Sequence, residues 1–222
     1  MNADSVIFDL DGTLWDATMI TSAAWDIMRE KHPDIPFAVP PTPENIKKYM
    51  GLTNEELAVV FMPSLPFDEA FALMSESCLY ENKLLERRGG VLYPRVREML
   101  SSLSAEGLRL FVVSNCQSEY IEAFIASHGL DGVFDDIECS GNTGLPKSDN
   151  IKLITERNSL LAPVYVGDTV SDETASRAAG ISFVYAKYGF GESGIRGRAR
   201  SWDGEISSPA QLCVIIHNIK KA

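Results

Sequence analysis

The stretch SVIFDLDGT, residues 5–13, contains the features that determine the fold. Its apolar run stops at Asp9, and such a short, nearly all-apolar run is typical of a strand buried on both faces of a parallel sheet. Asp9 and Asp11 are two residues apart, so their side chains project from the same face while the chain stays extended. Gly12 and Thr13 then allow the chain to turn. The stretch therefore predicts a core strand that ends in paired carboxylates.

Similar apolar runs recur along the chain and alternate with amphipathic stretches. The predicted strands cover residues 5–8, 108–113, 164–166 and 181–185, with a weaker candidate at 136–139. Helices are predicted at 96–106, 119–127 and 171–179, and each is closed by a glycine suited to a left-handed conformation. Ser208-Pro209 is a start signal for a last helix that runs to about Lys220. This alternation predicts an α/β fold with a parallel sheet.

Residues 17–90 differ from the rest of the chain, because they contain successive helix patterns and no convincing strand. Predicted helices cover 18–31, 44–49, 54–61 and 68–88, and Thr53 with Glu56 has the spacing of a capping box. Gly89-Gly90 is a natural hinge. We expect an α/β core formed by residues 1–16 and 91–222, and a helical cap formed by residues 17–90.

The loop at residues 49–52 is the best candidate for a substrate-facing part of this cap. Gly51 would permit close approach of the backbone, although a plain turn between helices explains the same pattern. Trp15, Met19 and Trp25 could line a pocket, yet aromatic and Met residues at such spacing more often belong to a core.

Composition limits the classes of partner. The chain has 222 residues, with 31 acidic against 20 basic side chains and a formal net charge of −11. Nonspecific electrostatic binding to nucleic acid or to anionic lipid is therefore not expected. The first apolar run is too short for an export signal or a membrane span. The four cysteines of the chain are far apart and form no zinc-ligand pattern. We therefore expect free thiols and a reducing, cytoplasmic location.

Acidic residues follow two of the predicted strands. Asp9 and Asp11 follow the first, and Asp168 and Asp172 follow the strand at 164–166. The carboxyl ends of parallel strands share one edge of a sheet, where such folds bind ligands. Gathered carboxylates repel each other, and a hard cation such as Mg²⁺ would relieve that repulsion. An ordinary Asp-Gly turn explains residues 9–13 equally well, but the second acidic cluster favours a metal site.

Polar groups also follow other predicted elements. Ser114-Asn115 comes after the second strand, where a hydroxyl and the N–H groups that open the next helix could hold phosphoryl oxygens; a plain helix cap is the alternative. Lys147 lies in a predicted loop just before a helix, and a lone loop lysine is usually only solvated. Taken singly, neither element indicates a function.

Taken together, four segments resemble the haloacid dehalogenase-like hydrolase superfamily and occur in its order. They are FDLDGT at 8–13, Ser114-Asn115, Lys147 and VGDTVSD at 166–172. The resemblance covers residue 5 to about 190 and is to the subgroup of phosphoglycolate phosphatase and beta-phosphoglucomutase. It implies a Rossmann-like, doubly wound parallel sheet with an inserted all-helical cap. Ser148 stands where many relatives have proline, which should alter the rigidity of that loop rather than its charge.

This resemblance implies a magnesium-dependent phosphatase that acts on a small phosphorylated metabolite. Asp9 would be the nucleophile that forms an aspartyl-phosphate, and Asp11 would be the general acid and then the general base. Mg²⁺ would be bound by Asp9, by the backbone carbonyl of Asp11 and by Asp168, while Asp172 would hold metal-bound water. The groups implied to bind the phosphoryl oxygens are Ser114, the Asn115 backbone N–H and Lys147.

Other functions compete with this interpretation. A phosphomutase has the same core and differs in passing the phosphoryl group to a sugar instead of to water. A dehalogenase would attack carbon and would have no use for a metal-binding acid cluster. A receiver-like signalling domain takes its phosphoacceptor from a later strand and lacks a helical insert. A binding protein that has kept only the scaffold is disfavoured by the intact motif residues. The sequence identifies neither the substrate nor the oligomeric state.

Overall fold

A computed structural model describes residues 3–191 and 202–219. The strands, in chain order, are β1 (Ser5–Phe8), β2 (Trp15–Asp16), β3 (Val91–Leu92), β4 (Arg109–Ser114), β5 (Asp136–Cys139), β6 (Pro163–Gly167), β7 (Ser182–Ala186) and β8 (Gly204–Ile206). Six of them form one parallel sheet in the order β5-β4-β1-β6-β7-β8. The chain builds outward from β1 first to one side and then to the other, so the strand order reverses at β1. The doubly wound α/β fold is confirmed.

Ten α-helices accompany these strands among the described residues. They are α1 (Thr18–Lys31), α2 (Pro43–Tyr49), α3 (Asn54–Phe61), α4 (Phe67–Arg88), α5 (Val96–Ala105), α6 (Tyr120–Ser127), α7 (Ser140–Thr143), α8 (Lys147–Arg157), α9 (Val170–Ala178) and α10 (Leu212–Ile215). Short 3₁₀ turns flank α10 on both sides. The single last helix predicted from Ser208 is therefore interrupted, and its predicted end at Lys220 falls outside the described residues.

The sheet is buried on both faces, as its all-apolar strands require. Val6 and Phe8 pack on one side against residues of α5 and α6, such as Phe124. Ile7 points to the other side and packs against residues of α8 and α9, such as Ile151. This alternation follows from the two-residue period of a strand. It leaves the carboxyl ends of the strands as the open edge of the sheet.

Residues 17–90 form four helices, α1 to α4, and all their regular elements are helical. These helices enclose an apolar cluster of their own, which includes Trp25, Met28 and Phe61. The predicted capping box at the start of α3 is present, since the side chains of Thr53 and Glu56 accept each other's backbone N–H. The division into two domains at these boundaries stays a prediction.

A two-stranded antiparallel ribbon joins the helical segment to the sheet. It pairs Trp15 of β2 with Leu92 of β3, and Asp16 with Val91. Sequence reasoning predicted a glycine hinge here but not these two short strands. The ribbon brings the two ends of the segment side by side.

All four cysteines are free, as predicted. Within the described ranges, no helix has both the length and the apolar character needed to cross a lipid bilayer.

Candidate active site

Asp9 lies directly beyond β1, at the point where the strand order reverses. Its backbone N–H donates to the carbonyl of Val166 on the neighbouring strand β6, at 2.8 Å, so the position of Asp9 is set by the sheet. Asp9 is only 4% exposed. Leu14 N–H then donates to the Leu10 carbonyl and closes a tight turn. That turn places Asp11 beside the same opening.

Asp168 follows β6 and is fully buried. One of its oxygens, Oδ2, accepts the backbone N–H groups of Phe190 at 2.6 Å and Gly191 at 3.2 Å. Gly12 packs directly over this carboxylate, since a Cβ at Gly12 would lie 2.4 Å from Asp168 Oδ2. The glycine of the first motif is thus required by the close approach of its backbone to Asp168 as well as by its φ of +85°.

Asp172 lies in the first turn of α9 and has both carboxylate oxygens engaged. Its Oδ2 accepts from the backbone and hydroxyl of Thr169, at 2.9 and 2.6 Å, in a capping box that begins the helix. Its Oδ1 accepts from Lys147 Nζ at 2.6 Å. With its oxygens held in this way, Asp172 is better suited to orient neighbouring groups than to bind an ion alone.

Lys147 is the first residue of α8, so the prediction that it lies in a loop is wrong. Pro146 precedes it in an extended conformation, which favours the start of a helix one residue earlier than expected. The lysine is 4% exposed, and its Nζ donates to Asp9 Oδ1 at 2.8 Å as well as to Asp172. The alternative interpretation, that Lys147 is only a solvated surface lysine, is therefore also wrong.

The acidic centre is formed by Asp9, Asp168 and Asp172. One carboxylate oxygen from each of these residues lies within 4.8 Å of the other two. Burial raises the pKa of Asp9 to about 7, the charge of Asp172 adds to that rise, and Lys147 opposes it. Burial and the charges of Asp172 and Asp9 likewise raise the pKa of Asp168 well above its usual range. Burial alone would lower the pKa of Lys147, but the charges of Asp172 and Asp9 outweigh it and raise that pKa.

These residues fit a divalent cation. Three buried carboxylates share one lysine, so the protein alone leaves their negative charge incompletely balanced. Asp168 Oδ1 has only a long contact of 3.4 Å with the Thr13 hydroxyl, which leaves that oxygen available as a ligand. Oxygen donors of this kind suit Mg²⁺ or a similar hard ion. The pKa values of Asp9 and Asp168 are raised first by burial and then by repulsion between the acids, and a bound cation would offset both effects.

Asp11 stands apart from the acidic centre. Its Oδ1 accepts the hydroxyl of Tyr120 from α6, at 2.9 Å. Burial, followed by the charge of Asp9, raises the pKa of Asp11 well above its usual range, and Glu81 adds to that rise. A carboxyl group with a raised pKa is better suited to donate a proton to a reacting atom.

Ser114 and Asn115 lie at the carboxyl end of β4 and line the same opening. Asn115 uses its side chain to link the core to the helical segment, because its Nδ2 donates to the Gly51 carbonyl at 2.8 Å. The next helix, α6, begins only at Tyr120. The sequence interpretation placed the N–H groups that open this helix beside Ser114. In the structure they are not adjacent to it.

A cavity of about 710 Å³, including space open to solvent, lies between the acidic centre and the helices α1 to α4. All four residues of the predicted substrate-facing loop line it, as do Asp9, Asp11, Ser114, Asn115 and Lys147. Trp25 lines it as well, whereas Trp15 packs inside the core against Tyr120 and Phe124, and Met19 is exposed.

Sequence reasoning did not single out Glu81, Gln117 and Tyr120, which are among the residues of the cavity wall. Glu81 of α4 is 7% exposed and accepts from Gln117, while Tyr120 donates to Asp11. No motif marks them, since they reach the site from helix faces and a loop. The one available signal was the position of Glu81 on the apolar stripe of α4, together with Met74, Cys78 and Leu85.

Comparisons with known proteins relate the chain to one family. Residues 6–186 match the haloacid dehalogenase-like hydrolase family. Phosphoglycolate phosphatase of Chromobacterium violaceum is 29% identical, over 96% of this chain and 96% of its own length. That of Aliivibrio fischeri is 25% identical over 83% of this chain and 84% of its own.

Solved structures show the same fold. A haloacid dehalogenase-like family hydrolase of Streptococcus pneumoniae has a TM-score of 0.75 at 21% identity, over 96% of this chain and 97% of its own. CbbY of Rhodobacter sphaeroides, solved in complex with phosphate, has a TM-score of 0.76 at 18% identity, over 95% and 96%. The family match spans far more than half of the chain and includes every residue of the acidic centre. The chain is therefore an enzyme that belongs to the haloacid dehalogenase-like hydrolase family.

Proposed function

We propose that this haloacid dehalogenase-like phosphatase hydrolyses the phosphomonoester of a small metabolite in two steps, through an aspartyl-phosphate on Asp9, and that it requires Mg²⁺. The observation that supports this most directly is the buried Asp9 carboxylate, 2.8 Å from Lys147 Nζ, at the base of a cavity between sheet and helices. The curated relatives named above are phosphoglycolate phosphatases.

In the first step, an ionised Asp9 oxygen attacks phosphorus and the bond from phosphorus to the alcohol oxygen breaks. Asp11 supplies a proton to that departing oxygen, a role that suits its raised pKa. In the second step, water attacks the phosphorus of the aspartyl-phosphate and gives its proton to Asp11. Inorganic phosphate leaves and the Asp9 carboxylate is regenerated. Splitting the displacement in this way replaces one difficult reaction by two easier ones.

The cationic and polar groups around Asp9 would bind the phosphoryl oxygens. Charge in the transition state of phosphoryl transfer is spread over those oxygens, so fixed donors around them provide much of the catalysis. Lys147 would supply the positive charge, with the Ser114 hydroxyl and the Asn115 backbone N–H beside it. Loss of one such donor typically raises the barrier by about 3 kcal/mol.

Asp9, Asp168 and the Asp11 carbonyl would hold the Mg²⁺, with Asp172 orienting this arrangement through Lys147. When bound, the ion supplies positive charge that offsets the repulsion between the acids and a phosphate dianion. The hydrogen bond between Asn115 and Gly51 ties the helical segment to the core over the site, which would keep bulk water away during attack. We further propose a cytoplasmic location, small phosphorylated metabolites as partners and no nucleic-acid partner, in keeping with the net charge of −11.

The test is phosphate release from a panel of phosphomonoesters, with Mg²⁺ and with chelator, for the wild type and for Asp9→Asn. We expect release only with the metal and only with Asp9. Mass spectrometry of rapidly quenched wild type should detect one phosphoryl group, mapped to the peptide that contains Asp9. Hydrolysis that survives both chelation and Asp9→Asn would overturn the proposal. Transfer of the phosphoryl group to a sugar without phosphate release would instead identify a phosphomutase.

A further inference from the structure

The half of the cavity formed by the helical segment is mainly apolar, and its charged residue is an acid. Trp25, Phe61 and Met74 contribute buried apolar surface, and Glu81 contributes a carboxylate. Glu81 is 7% exposed on the inward face of α4, at a position where an apolar residue would continue the stripe. A buried carboxylate is costly, so its presence in this wall needs a reason.

Protein donors use only part of the hydrogen-bonding capacity of Glu81. Thr21 donates to its Oε1 at 2.5 Å, and Gln117 donates to its Oε2 at 3.0 Å. A carboxylate accepts about four hydrogen bonds. Because Glu81 lines the cavity, its remaining capacity faces the space that the organic part of a substrate would fill.

Among the residues that the structure describes, positive charge is lacking at this end of the cavity. Among the described residues that line it, Lys147 is the only cation, and it is held by Asp9 and Asp172 at the phosphoryl end. Lys47 of α2 pairs with Asp16 at 2.8 Å and does not line the cavity. A substrate carboxylate placed here would meet the Glu81 carboxylate, with no countercharge from the described residues.

We propose that Glu81 selects the leaving group, and that the substrate is the phosphomonoester of a small alcohol that bears a second hydroxyl or an ammonium group and no carboxylate. This inference rests on the proposed phosphatase function. The donor group would bind Glu81, and the carbon chain would pack against Trp25 and Met74. The enzyme would then differ in substrate class from its relatives named for phosphoglycolate, whose organic part is an anion.

Three two-carbon phosphomonoesters that differ only in their terminal group provide the test: 2-aminoethyl phosphate, 2-hydroxyethyl phosphate and 2-phosphoglycolate. We expect the wild type to have a kcat/KM for the better of the two donor compounds at least about tenfold above that for the carboxylate. Glu81→Gln should reduce that ratio by about threefold or more, because the neutral amide no longer repels a carboxylate. Ratios cancel any effect of the substitution that is common to all substrates.

Glu76→Gln is the matched control, since Glu76 lies on the same helix but outside the cavity, where it accepts from Tyr80 and pairs with His32. It should leave the ratio unchanged. A purely structural Glu81 would alter all three substrates equally, and that result would overturn the inference. So would a wild type that prefers the carboxylate, a measurement that needs no variant.

Hydrolysis of the generic substrate p-nitrophenyl phosphate tests the proposed phosphatase function separately from the role of Glu81. If it is hydrolysed in an Asp9-dependent manner while 2-phosphoglycolate is preferred within the series, only the assignment of Glu81 fails. If neither it nor any compound of the series is hydrolysed, the proposed function fails and the assignment fails with it.

Discussion

Replacing Asp9 by Asn removes a buried carboxylate that the metal-free fold accommodates only at a cost in stability. Burial, and then the charge of Asp172, raises the pKa of Asp9 to about 7 from its usual 3.8. Each pKa unit of difference between folded and unfolded states corresponds to about 1.4 kcal/mol. Keeping Asp9 ionised at pH 8 therefore costs up to about 4 kcal/mol. Asn has nearly the same shape and no charge, so Asp9→Asn should raise the free energy of unfolding by up to that amount.

The gain should depend on pH in a defined direction. The unfolded chain releases the Asp9 proton near pH 3.8, whereas the folded protein keeps it until about pH 7. The contribution of Asp9 to wild-type stability therefore falls as the pH rises between these values. At pH 5 the folded wild type still holds this proton, so the gain from Asp9→Asn should shrink to about 2 kcal/mol.

Urea denaturation in EDTA, followed by tryptophan fluorescence at pH 5 and pH 8, measures both values. Asp149→Asn is the matched control, because Asp149 is an exposed carboxylate that pairs with Lys152 and should change stability by less than about 0.5 kcal/mol. No gain for Asp9→Asn at pH 8, or an equal gain at both pH values, would refute the electrostatic argument.

Three more predictions concern the ion, the lysine and the general acid. Saturating Mg²⁺ should raise the wild-type Tm more at pH 8 than at pH 6, because protons compete with the ion for Asp9 below about pH 7; equal shifts in differential scanning fluorimetry would contradict a site at Asp9. Lys147→Met should lower kcat/KM for p-nitrophenyl phosphate by about 100-fold or more, since it removes the cation beside Asp9, whereas the exposed Lys152→Met should have no effect in the same assay. Tyr120→Phe removes a hydrogen bond that lowers the pKa of Asp11, so the limb of the pH–rate profile that reports Asp11 should move to higher pH. An unmoved profile would exclude Asp11 as that group.

Elements that depend on local pattern were predictable from the sequence. The strands β1 and β5 and the helices α1 and α3 have the predicted bounds, and β4 is displaced by a single residue at each end. Apolar runs, proline positions and capping boxes are all encoded by residues that are near one another in the chain. The interactions that form these elements are therefore local, and a pattern of neighbouring residues is enough to predict them.

Elements that depend on distant partners were not predictable. The two residues of β2 are strands only because β3 pairs with them from beyond the whole helical segment. The three residues of β8 begin with Gly204, which favours no strand by itself, and are extended because they pair with β7. The last helix has a clear start signal, but its interruption around α10 has no local marker that we recognise.

The residues of the candidate site also fall into a group that local patterns predict and a group that depends on distant partners. Asp9, Ser114 and Asp168 each follow a predicted strand, and the carboxyl ends of parallel strands must meet at one edge, so their proximity could be foreseen. Tyr120 lies 109 residues from the Asp11 that it contacts, and Glu81 reaches the cavity from a helix. Their positions depend on how helices pack over the sheet, which no single motif encodes.

The ribbon of β2 and β3 has a consequence for how such enzymes diversify. Trp15 is paired with Leu92, so the chain leaves the core and returns to it at one point. An inserted segment of another length could begin and end there without displacing the strands that hold Asp9 or Asp168. Mutation and recombination can thus replace the helical wall of the cavity while the residues of the acidic centre keep their positions.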